Sequence, residues 1–275
     1  MRPNIRLQPT GLSLRLRPAA EAGVRQERLN VTEPIIAYDY VFPVVGGDIA
    51  SPGPVVRQVY GTAFYLANTF FVTNAHVIHS ASGQQWWGLG FTEGQYWKFV
   101  VIDHYECFDD IDIGILSAPI PKAKNLKWSV SEEAMLTDVQ VSGFPYALDL
   151  SESLLTIRAF RGTLVSTRTW NKLPNKPRVY ELSFPCPRGL SGAPLWSVGP
   201  SPRFTGVVFG NSITEMVVYR EVEKSTEDKE IIHEKVEALH LGLAIQSQSI
   251  LSLKSMLLDT YVGDYLGKQN LLISA

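Results

Sequence analysis

The chain has 275 residues, of which 45% are hydrophobic and 19% are charged. This composition provides a sizeable core and excludes a globally disordered protein. The formal net charge of −2 argues against a nucleic-acid-binding protein, and no run of about 18 uncharged apolar residues occurs, so we expect no contact with a membrane.

The N-terminal segment, residues 1–30, differs in composition from the rest of the chain. It contains six arginines, two glutamates and no aromatic residue, and the alternating Leu12, Leu14 and Leu16 are too few to form a buried stripe. We predict a flexible basic leader over residues 1–30, with an organellar transit peptide as the alternative, and a folded domain over residues 31–275. The leader lacks the apolar region of a secretory signal peptide, which favours a cytoplasmic location.

The body of the chain is a series of short runs rich in Val, Ile, Phe, Tyr and Thr, separated by Gly, Pro, Asn and Ser. Many short strands at near-regular spacing predict β-barrels or a β-sandwich. The predicted strands lie within Ile35–Val45, Val55–Leu66, Phe70–Thr73, Trp86–Phe91, Tyr96–Ile102, Ile113–Ser117, Val139–Phe144, Ser153–Ser166, Val179–Phe184, Thr205–Phe209, Val217–Glu223 and Ala238–Ile245.

Helical periodicity becomes clear only near the C-terminal end. Apolar residues at helical spacing follow Ser249, which is a good N-cap residue, and Gly263 is a good helix stop. We therefore predict a C-terminal α-helix over about residues 249–262.

Three segments contain the residue types of nucleophilic catalysis. They are GTAFYLANTFFVTNAHVI with His76, DDIDIGIL with Asp112, and PRGLSGAPLW with Ser191. Alone, each segment has an ordinary structural explanation, namely a packed histidine, a turn aspartate and a tight turn. Asp109 and Asp110 compete with Asp112 for the aspartate role, and we prefer Asp112 because the apolar strand starts directly after it.

Together these segments supply what acyl transfer by a serine requires. A histidine takes the hydroxyl proton, a carboxylate holds the imidazole, and N–H groups bind the oxyanion. The glycines on both sides of Ser191 allow a tight turn that leaves backbone N–H groups free to face a ligand. The chain order His, Asp, Ser is that of double β-barrels, whereas α/β-hydrolases have the order Ser, Asp, His.

The chain resembles the chymotrypsin-fold, trypsin-like serine proteases, and its motifs are most similar to those of the bacterial Deg/HtrA type. TNAHV, DIGIL and GLSGAPL resemble the histidine, aspartate and nucleophile motifs, and LGLAIQSQSILSL resembles the last strand and C-terminal helix. The resemblance implies an all-β fold of two packed six-stranded antiparallel β-barrels, about residues 35–128 and 129–246, followed by the C-terminal α-helix. It also implies a bacterial serine endopeptidase that cleaves peptide or protein substrates and uses no cofactor.

The same resemblance assigns roles to individual residues. His76 would be the general base, Asp112 its orienting carboxylate and Ser191 the nucleophile, with an oxyanion hole formed by the backbone N–H groups of Gly189 and Ser191. Leu190 stands where digestive members of the family have an aspartate that pairs with a newly cut N-terminus, so we do not expect this form of zymogen activation. We recognise no PDZ-like domain after the catalytic body.

In this fold, three segments form the primary specificity pocket: residues 185–188, 208–211 and 241–243. The expected lining residues are Pro185, Cys186, Pro187, Arg188, Val208, Phe209, Gly210, Asn211 and Gly242. No acidic residue lies in these segments, so we expect small or medium apolar substrate side chains rather than Lys or Arg. Arg188 is either a substrate contact or a solvated surface residue.

A long connection separates Gly210 from Gly242, and its middle, residues 221–237, is highly charged. It is either a solvated hairpin or a flap that restricts access to the cleft or docks a regulatory partner. The alternative to an active enzyme is a catalytically silent or partner-activated trypsin-like domain that acts as a binding module.

Metal and disulfide chemistry have little support in the sequence. His76 and His79 form the pattern HVIH, but no third ligand is evident, so we expect no metal site. The two cysteines, Cys107 and Cys186, are too few for a disulfide framework or a four-cysteine zinc site.

Overall fold

The structure is a computed structural model. It describes residues 39–50, 53–93, 96–121, 123–146, 148–149, 154–199, 201–224 and 230–274. The predicted leader, residues 1–30, lies outside the described residues, and so do residues 225–229 within the charged segment. In the described part of the chain, no helix has both the length and the apolar character needed to cross a membrane.

Short strands dominate the described chain, as the sequence predicts, and the fold is all-β. The elements in chain order are β1 Val41–Ala50, β2 Gly53–Ala67, β3 Phe70–Thr73, α1 Ala75–Ser82, β4 Trp86–Glu93, β5 Tyr96–Val101, β6 His104–Phe108, β7 Ile113–Ser117, β8 Trp128–Ser129, β9 Asp138–Gly143, β10 Leu148–Asp149, β11 Leu154–Leu155, β12 Arg158–Thr169, β13 Arg178–Leu182, β14 Pro194–Ser197, β15 Arg203–Lys224, β16 Glu230–Gln246, α2 Ser247–Leu251, β17 Lys254–Ser255, β18 Thr260–Tyr261, α3 Val262–Lys268 and β19 Leu272–Ile273.

The first barrel is an antiparallel sheet with the strand order β5-β4-β1-β2-β3-β7-β6. Its two outermost strands, β5 and β6, are separated along the chain only by Ile102 and Asp103. Asp103 already pairs with β7, because its N–H donates to the carbonyl of Ser117 at 3.0 Å. The β5–β6 segment therefore acts as one bent strand that closes the sheet, which gives the six strands expected for this barrel.

The second barrel closes directly through hydrogen bonds between its first and last strands. Its strand order is β14-β9-β12-β13-β16-β15, and β15 also pairs with β14. These six strands form a ring, as expected, and the short strands β8 and β19 extend the sheet beyond β15 in parallel orientation.

An aromatic cluster joins the two barrels. Phe64 on β2 of the first barrel lies 4.8 Å from Phe204 on β15 of the second, measured between ring centroids. Trp128 packs against both, at 5.8 Å from Phe64 and 4.0 Å from Phe204. All three side chains are fully buried, so their burial stabilises the packing of one barrel on the other.

Strands β15 and β16 continue past the second barrel as a long antiparallel hairpin. Their pairing runs from Gly206 opposite Gln246 to Lys224 opposite Glu230. The described parts of the charged segment, residues 221–224 and 230–237, form the outer part of this hairpin. Large apolar side chains on the described part are exposed, among them Met216 and Leu239.

The prediction of one C-terminal helix over residues 249–262 is wrong. The chain forms the five-residue helix α2, then the two-stranded β17–β18 turn, and then α3. Gly263, predicted as the helix stop, lies inside α3.

Glu106 on β6 explains why the helix is interrupted. Its carboxylate accepts hydrogen bonds from Ser255 Oγ at 2.7 Å, from the Met256 N–H at 3.0 Å and from the Leu257 N–H at 3.3 Å. A continuous helix would need those two N–H groups for its own carbonyls. The carboxylate binds them instead, and hydrogen bonds to a charged acceptor are stronger than those between neutral groups.

Candidate active site

His76 is the second residue of helix α1, an element that the sequence did not predict. Strand β3 ends at Thr73, and Asn74 is the N-cap of the helix. Val77 and Ile78 are typical strand residues, but here they pack into the core of the first barrel as part of the buried face of α1. Burial of this face outweighs the weak helix propensity of β-branched residues, and it leaves the His76 side chain about half exposed, at 47%.

Asp112 holds His76 at two points. Its Oδ2 lies 2.7 Å from His76 Nδ1, and its Oδ1 accepts the backbone N–H of His76 at 3.0 Å. The Asp112 side chain is only 14% exposed. An ionised carboxylate can only accept, so this contact places the proton on Nδ1 and leaves Nε2 of the neutral ring free to accept another proton.

The backbone at Asp112 has an unusual conformation. Its φ angle is +55°, in the left-handed region that side chains other than glycine enter at a cost of about 1–2 kcal/mol. Asn74 Nδ2 donates to the Asp112 carbonyl at 2.8 Å, and the Asp112 N–H reaches the Asp109 carbonyl at 3.4 Å. These bonds hold the conformation, which six other described residues besides glycine also adopt.

The three aspartates of this motif have three different partners. Asp109 Oδ1 lies 2.7 Å from Nε2 of His79, one turn along α1 from His76, and Asp110 Oδ2 accepts Asn175 Nδ2 at 2.7 Å. Asp112 is therefore the aspartate that reaches His76, in agreement with the preference drawn from the sequence.

Ser191 lies in a tight turn between two glycines with positive φ angles, +101° at Gly189 and +84° at Gly192. A β-carbon on Gly189 would come within 2.5 Å of the Phe144 carbonyl oxygen, and one on Gly192 within 2.0 Å of the Thr62 carbonyl oxygen. Both positions therefore require glycine for conformation and for space.

Thr62 on β2 fixes this turn to the first barrel. Its backbone N–H donates to the Ser191 carbonyl at 2.8 Å, and its hydroxyl donates to the Gly189 carbonyl at 2.8 Å while accepting the Phe144 N–H at 3.0 Å. Thr62 is fully buried. The sequence did not point to Thr62 as a support of the serine turn. The one feature that could have indicated this role is a hydroxyl side chain within the apolar run GTAFYLA.

The histidine helix and the serine turn meet at Gly61. A β-carbon there would lie 2.7 Å from the Val77 side chain and 2.8 Å from the Ser191 carbonyl oxygen. The structure thus brings the Ser191 turn against the first turn of α1, next to His76. Among the hydrogen bonds of the described residues, none joins the Ser191 hydroxyl to His76.

The backbone of the serine turn leaves two N–H groups without an acceptor among the described residues. The Arg188 carbonyl accepts the Tyr146 N–H at 3.3 Å, and the Leu190 N–H donates to the Pro187 carbonyl at 3.1 Å. Within the described part of the chain, no acceptor binds the N–H groups of Gly189 and Ser191. These two groups can therefore donate to a ligand oxygen.

The surroundings of Leu190 and Arg188, on either side of Gly189, differ. Leu190 is fully buried and packs in the core of the second barrel. An aspartate at this buried position would be charged, whereas leucine is apolar. Arg188 is exposed, which is compatible with both interpretations, a substrate contact and a solvated surface residue.

The three predicted pocket segments come together beside the serine turn. Asn211 Oδ1 accepts the Cys186 N–H at 2.6 Å, and Asn211 Nδ2 donates to the Cys186 carbonyl at 2.7 Å. A β-carbon on Gly242 would lie 2.5 Å from Cys186 Sγ. Phe209 packs edge-to-face on Trp170, with ring centroids 5.7 Å apart.

Comparison with solved structures identifies the fold. The active form of the Rv3671c protease from M. tuberculosis superposes with a TM-score of 0.52 at 18% identity, over 94% of this chain and 97% of that chain. The chain has the fold of the trypsin-like serine proteases. The inactive form of Rv3671c superposes with a TM-score of 0.50 at 17% identity, over 86% of this chain and 92% of that one.

An HtrA-type protease gives a similar result. AlgW, solved with a decapeptide, superposes with a TM-score of 0.52 at 12% identity, over 77% of this chain and 62% of that chain. No family model matches the sequence, and no curated protein matches it. The structural neighbours are thus serine proteases of the Rv3671c and HtrA types, as the motif resemblance implies.

Proposed function

We propose that the protein is a serine endopeptidase in which His76, Asp112 and Ser191 form a catalytic triad. The observation that carries this proposal is the two-point contact between Asp112 and His76, located next to a glycine-flanked serine turn. The trypsin-like fold of the neighbouring proteases supports it independently.

In the proposed reaction, His76 Nε2 takes the proton of the Ser191 hydroxyl as Oγ attacks the carbonyl carbon of a peptide bond. The protonated ring then gives this proton to the leaving amine as the C–N bond breaks, which leaves an acyl-enzyme. A water molecule then attacks the acyl carbon of the acyl-enzyme while His76 takes the water proton. The bond to Ser191 Oγ breaks, Ser191 receives the proton from His76, and the new carboxylate is released. Asp112 keeps the ring in the required tautomer and stabilises its positive charge.

The N–H groups of Gly189 and Ser191 are the proposed oxyanion donors. Both lie in a backbone whose shape is fixed by Thr62 and by the positive φ angle of Gly189. Donors that are held in place before the reaction stabilise the tetrahedral intermediate without reorganisation, and one donor contributes about 3–4 kcal/mol in similar sites.

Cleavage of an unfolded protein tests the proposal. Wild type should cut reduced, denatured casein, and Ser191→Ala should not cut it although its circular dichroism spectrum is unchanged. Ser201→Ala, at an exposed serine between β14 and β15, is the matched control and should cut like wild type. Equal cleavage by Ser191→Ala and wild type would contradict the proposed nucleophile.

The second candidate function is a trypsin-like domain that stays silent until a regulatory protein docks on the charged segment 221–237. Two observations favour it: the Ser191 hydroxyl has no described hydrogen bond to His76, and the adjoining part of the hairpin exposes apolar side chains such as Met216 at 61% and Leu239 at 58%. Removal of residues 225–230 distinguishes the two functions. Unchanged cleavage rates would exclude a regulatory role for the tip of this hairpin.

A further inference from the structure

The β15–β16 hairpin has one long edge that is unpaired among the described residues. On its inner side, β16 pairs with β15 from Gln246 to Glu230. On its outer side, β13 covers β16 only from Ile245 to Gly242. Over the described ranges, no strand pairs with the outer side of residues 230–241, which we call the free edge of β16. An edge of this kind presents backbone N–H and C=O groups to which another strand can pair.

The free edge of β16 lacks two features that block edge strands in many proteins, namely proline and β-bulges. Its sequence, EIIHEKVEALHL, contains no proline. Both register shifts within the hairpin place their extra residue on β15, at Phe209 and at Val218. Strand β16 itself therefore continues without a bulge and can accept a second strand along its free edge.

Two copies of the same edge can pair antiparallel around a two-fold axis, and the length of the free edge selects where that axis lies. Strand β16 begins at Glu230, and β13 occupies its outer side from Gly242 onwards. Val236 is midway between these two residues. With the axis at Val236, the two free edges overlap along their full length, because Ile231 of one copy then lies opposite Leu241 of the other.

The charges of the free edge select the same axis. With the axis at Val236, Lys235 of one copy lies opposite Glu237 of the other, and this pair occurs twice. An axis at the preceding residue would put two lysines opposite each other, and an axis at the following residue would put two glutamates opposite each other. Opposite charges across a sheet stabilise it, whereas like charges directly opposite destabilise it. The length of the edge and the order of its charges, which are independent observations, therefore agree on one register.

The same register brings exposed apolar side chains together. Val236 lies directly opposite Val217 on β15, and the two side chains are 47% and 51% exposed. Pairing at Val236 places these valines and their counterparts in one row of four across the combined sheet. A two-stranded ribbon alone is marginally stable in water, and it gains stability as part of a sheet of more strands. The hairpin thus gains apolar contacts as well as hydrogen bonds by pairing with a copy of itself.

We propose that the protein forms a symmetric dimer in which the free edges of β16 from two copies pair antiparallel around Val236. The product is a four-stranded sheet with the strand order β15-β16-β16-β15. The inference concerns assembly and does not depend on the proposed endopeptidase function. It gives the hairpin a defined partner, a second copy of this chain.

Sedimentation velocity of the full chain over a concentration range of about a hundredfold tests the dimer. Wild type should shift from the mass of one chain to the mass of two as its concentration rises. Lys235→Glu and Glu237→Lys each place like charges opposite one another twice in the dimer, and each should raise its dissociation constant about tenfold or more. The combined variant Lys235→Glu/Glu237→Lys restores opposite charges, so its dissociation constant should lie within about threefold of the wild-type value.

Two valine variants locate the axis. Val236→Lys puts two lysines next to each other on the proposed axis and should weaken the dimer about tenfold or more. Val217→Lys is the matched control, because it makes the same change at the opposite position of the hairpin and at similar exposure. Its lysine lies three strand spacings, about 14 Å, from its counterpart, so the dissociation constant should stay within about threefold of the wild-type value. Circular dichroism checks that every variant is folded.

A wild-type chain that stays monomeric over the whole concentration range would overturn the dimer itself. A dimer that neither single charge reversal weakens, or that Val217→Lys weakens as much as Val236→Lys, would overturn the use of the β16 edge. A double charge reversal that dimerises as weakly as the single ones would overturn the register. None of these measurements reads cleavage, so failure of the dimer is distinguishable from failure of the proposed endopeptidase.

Discussion

Asp109 and Asp112 are near neighbours, and each binds a ring nitrogen of a histidine on α1 at 2.7 Å. Their surroundings differ, because Asp109 is 69% exposed whereas Asp112 is 14% exposed and also accepts the backbone N–H of its histidine. An exposed pair of this kind contributes little, typically about 0–1 kcal/mol. The partly buried pair fixes both the position and the tautomer of His76.

We expect this difference to appear in the kinetics of two isosteric variants. Asp112→Asn should lower kcat/KM for cleavage of denatured casein by about 10⁴-fold, because the amide no longer selects the tautomer that leaves Nε2 free. Asp109→Asn should change kcat/KM by less than about threefold, since an exposed pair is weak. Similar losses in both variants would mean that Asp112 has no special role.

The residues of the proposed triad could be predicted because each lies in a short local motif. The Asn211–Cys186 contact could not be predicted, since it joins residues that are 25 positions apart and depends on how strand β15 meets the serine segment. Thr62 was missed for the same reason. It lies in the first barrel, and its hydroxyl forms hydrogen bonds with Gly189 and Phe144, which are distant in sequence and belong to the second barrel.

At the scale of elements, strand β2 supports the serine turn through the Thr62 hydroxyl. Thr62→Val keeps the shape of the side chain but leaves the buried Phe144 N–H without its acceptor, so we expect a loss of stability of about 1–3 kcal/mol. The variant should also react more slowly with a fluorophosphonate, because the turn loses a fixing bond at Gly189.

Thr205→Val is the matched control for this variant. Thr205 is also fully buried, and its hydroxyl donates to the Leu195 carbonyl within the second barrel. Urea denaturation should show that both variants are destabilised, while only Thr62→Val reacts more slowly with the probe. An equal reaction rate in the two variants would contradict the positioning role of Thr62.

The C-terminal elements depend on Glu106 in the first barrel. Glu106→Gln replaces the charged acceptor of two backbone N–H groups and the Ser255 hydroxyl, and should reduce the free energy of unfolding by about 1.5–3 kcal/mol in urea denaturation. Glu215→Gln, at an exposed position on the hairpin, should change it by less than about 0.5 kcal/mol. If Glu106→Gln is as stable as wild type, the Glu106 carboxylate does not stabilise the turn between α2 and α3.

Local patterns in the sequence predicted most strands but not every element. Strand runs such as Ile113–Ser117 are visible because their apolar residues are consecutive and turn residues bound them. The C-terminal helix was mispredicted because periodicity within residues 249–262 carries no information about Glu106, about 150 residues away. Helix α1 was missed because packing of Val77 and Ile78 against the barrel overrides their strand preference.

At the scale of the whole molecule, the candidate site lies where the two barrels meet. His76 and Asp112 belong to the first barrel, and Ser191 lies in the segment that leads into β14 of the second. Thr62 and the aromatic cluster of Phe64 and Phe204 fix one barrel against the other. We therefore expect the proposed catalysis to depend on a correct interface between the barrels, and not on either barrel alone.

The measurement that tests this account most directly is labelling with a fluorophosphonate, read by intact mass and peptide mapping. Folded wild type should gain the mass of a single probe, located on Ser191, because only an activated serine hydroxyl attacks the phosphorus and displaces fluoride. Ser191→Ala and heat-denatured wild type should gain none. Folded wild type that stays unlabelled, or Ser191→Ala that is labelled like wild type, would contradict the proposed nucleophile and its activation by His76 and Asp112.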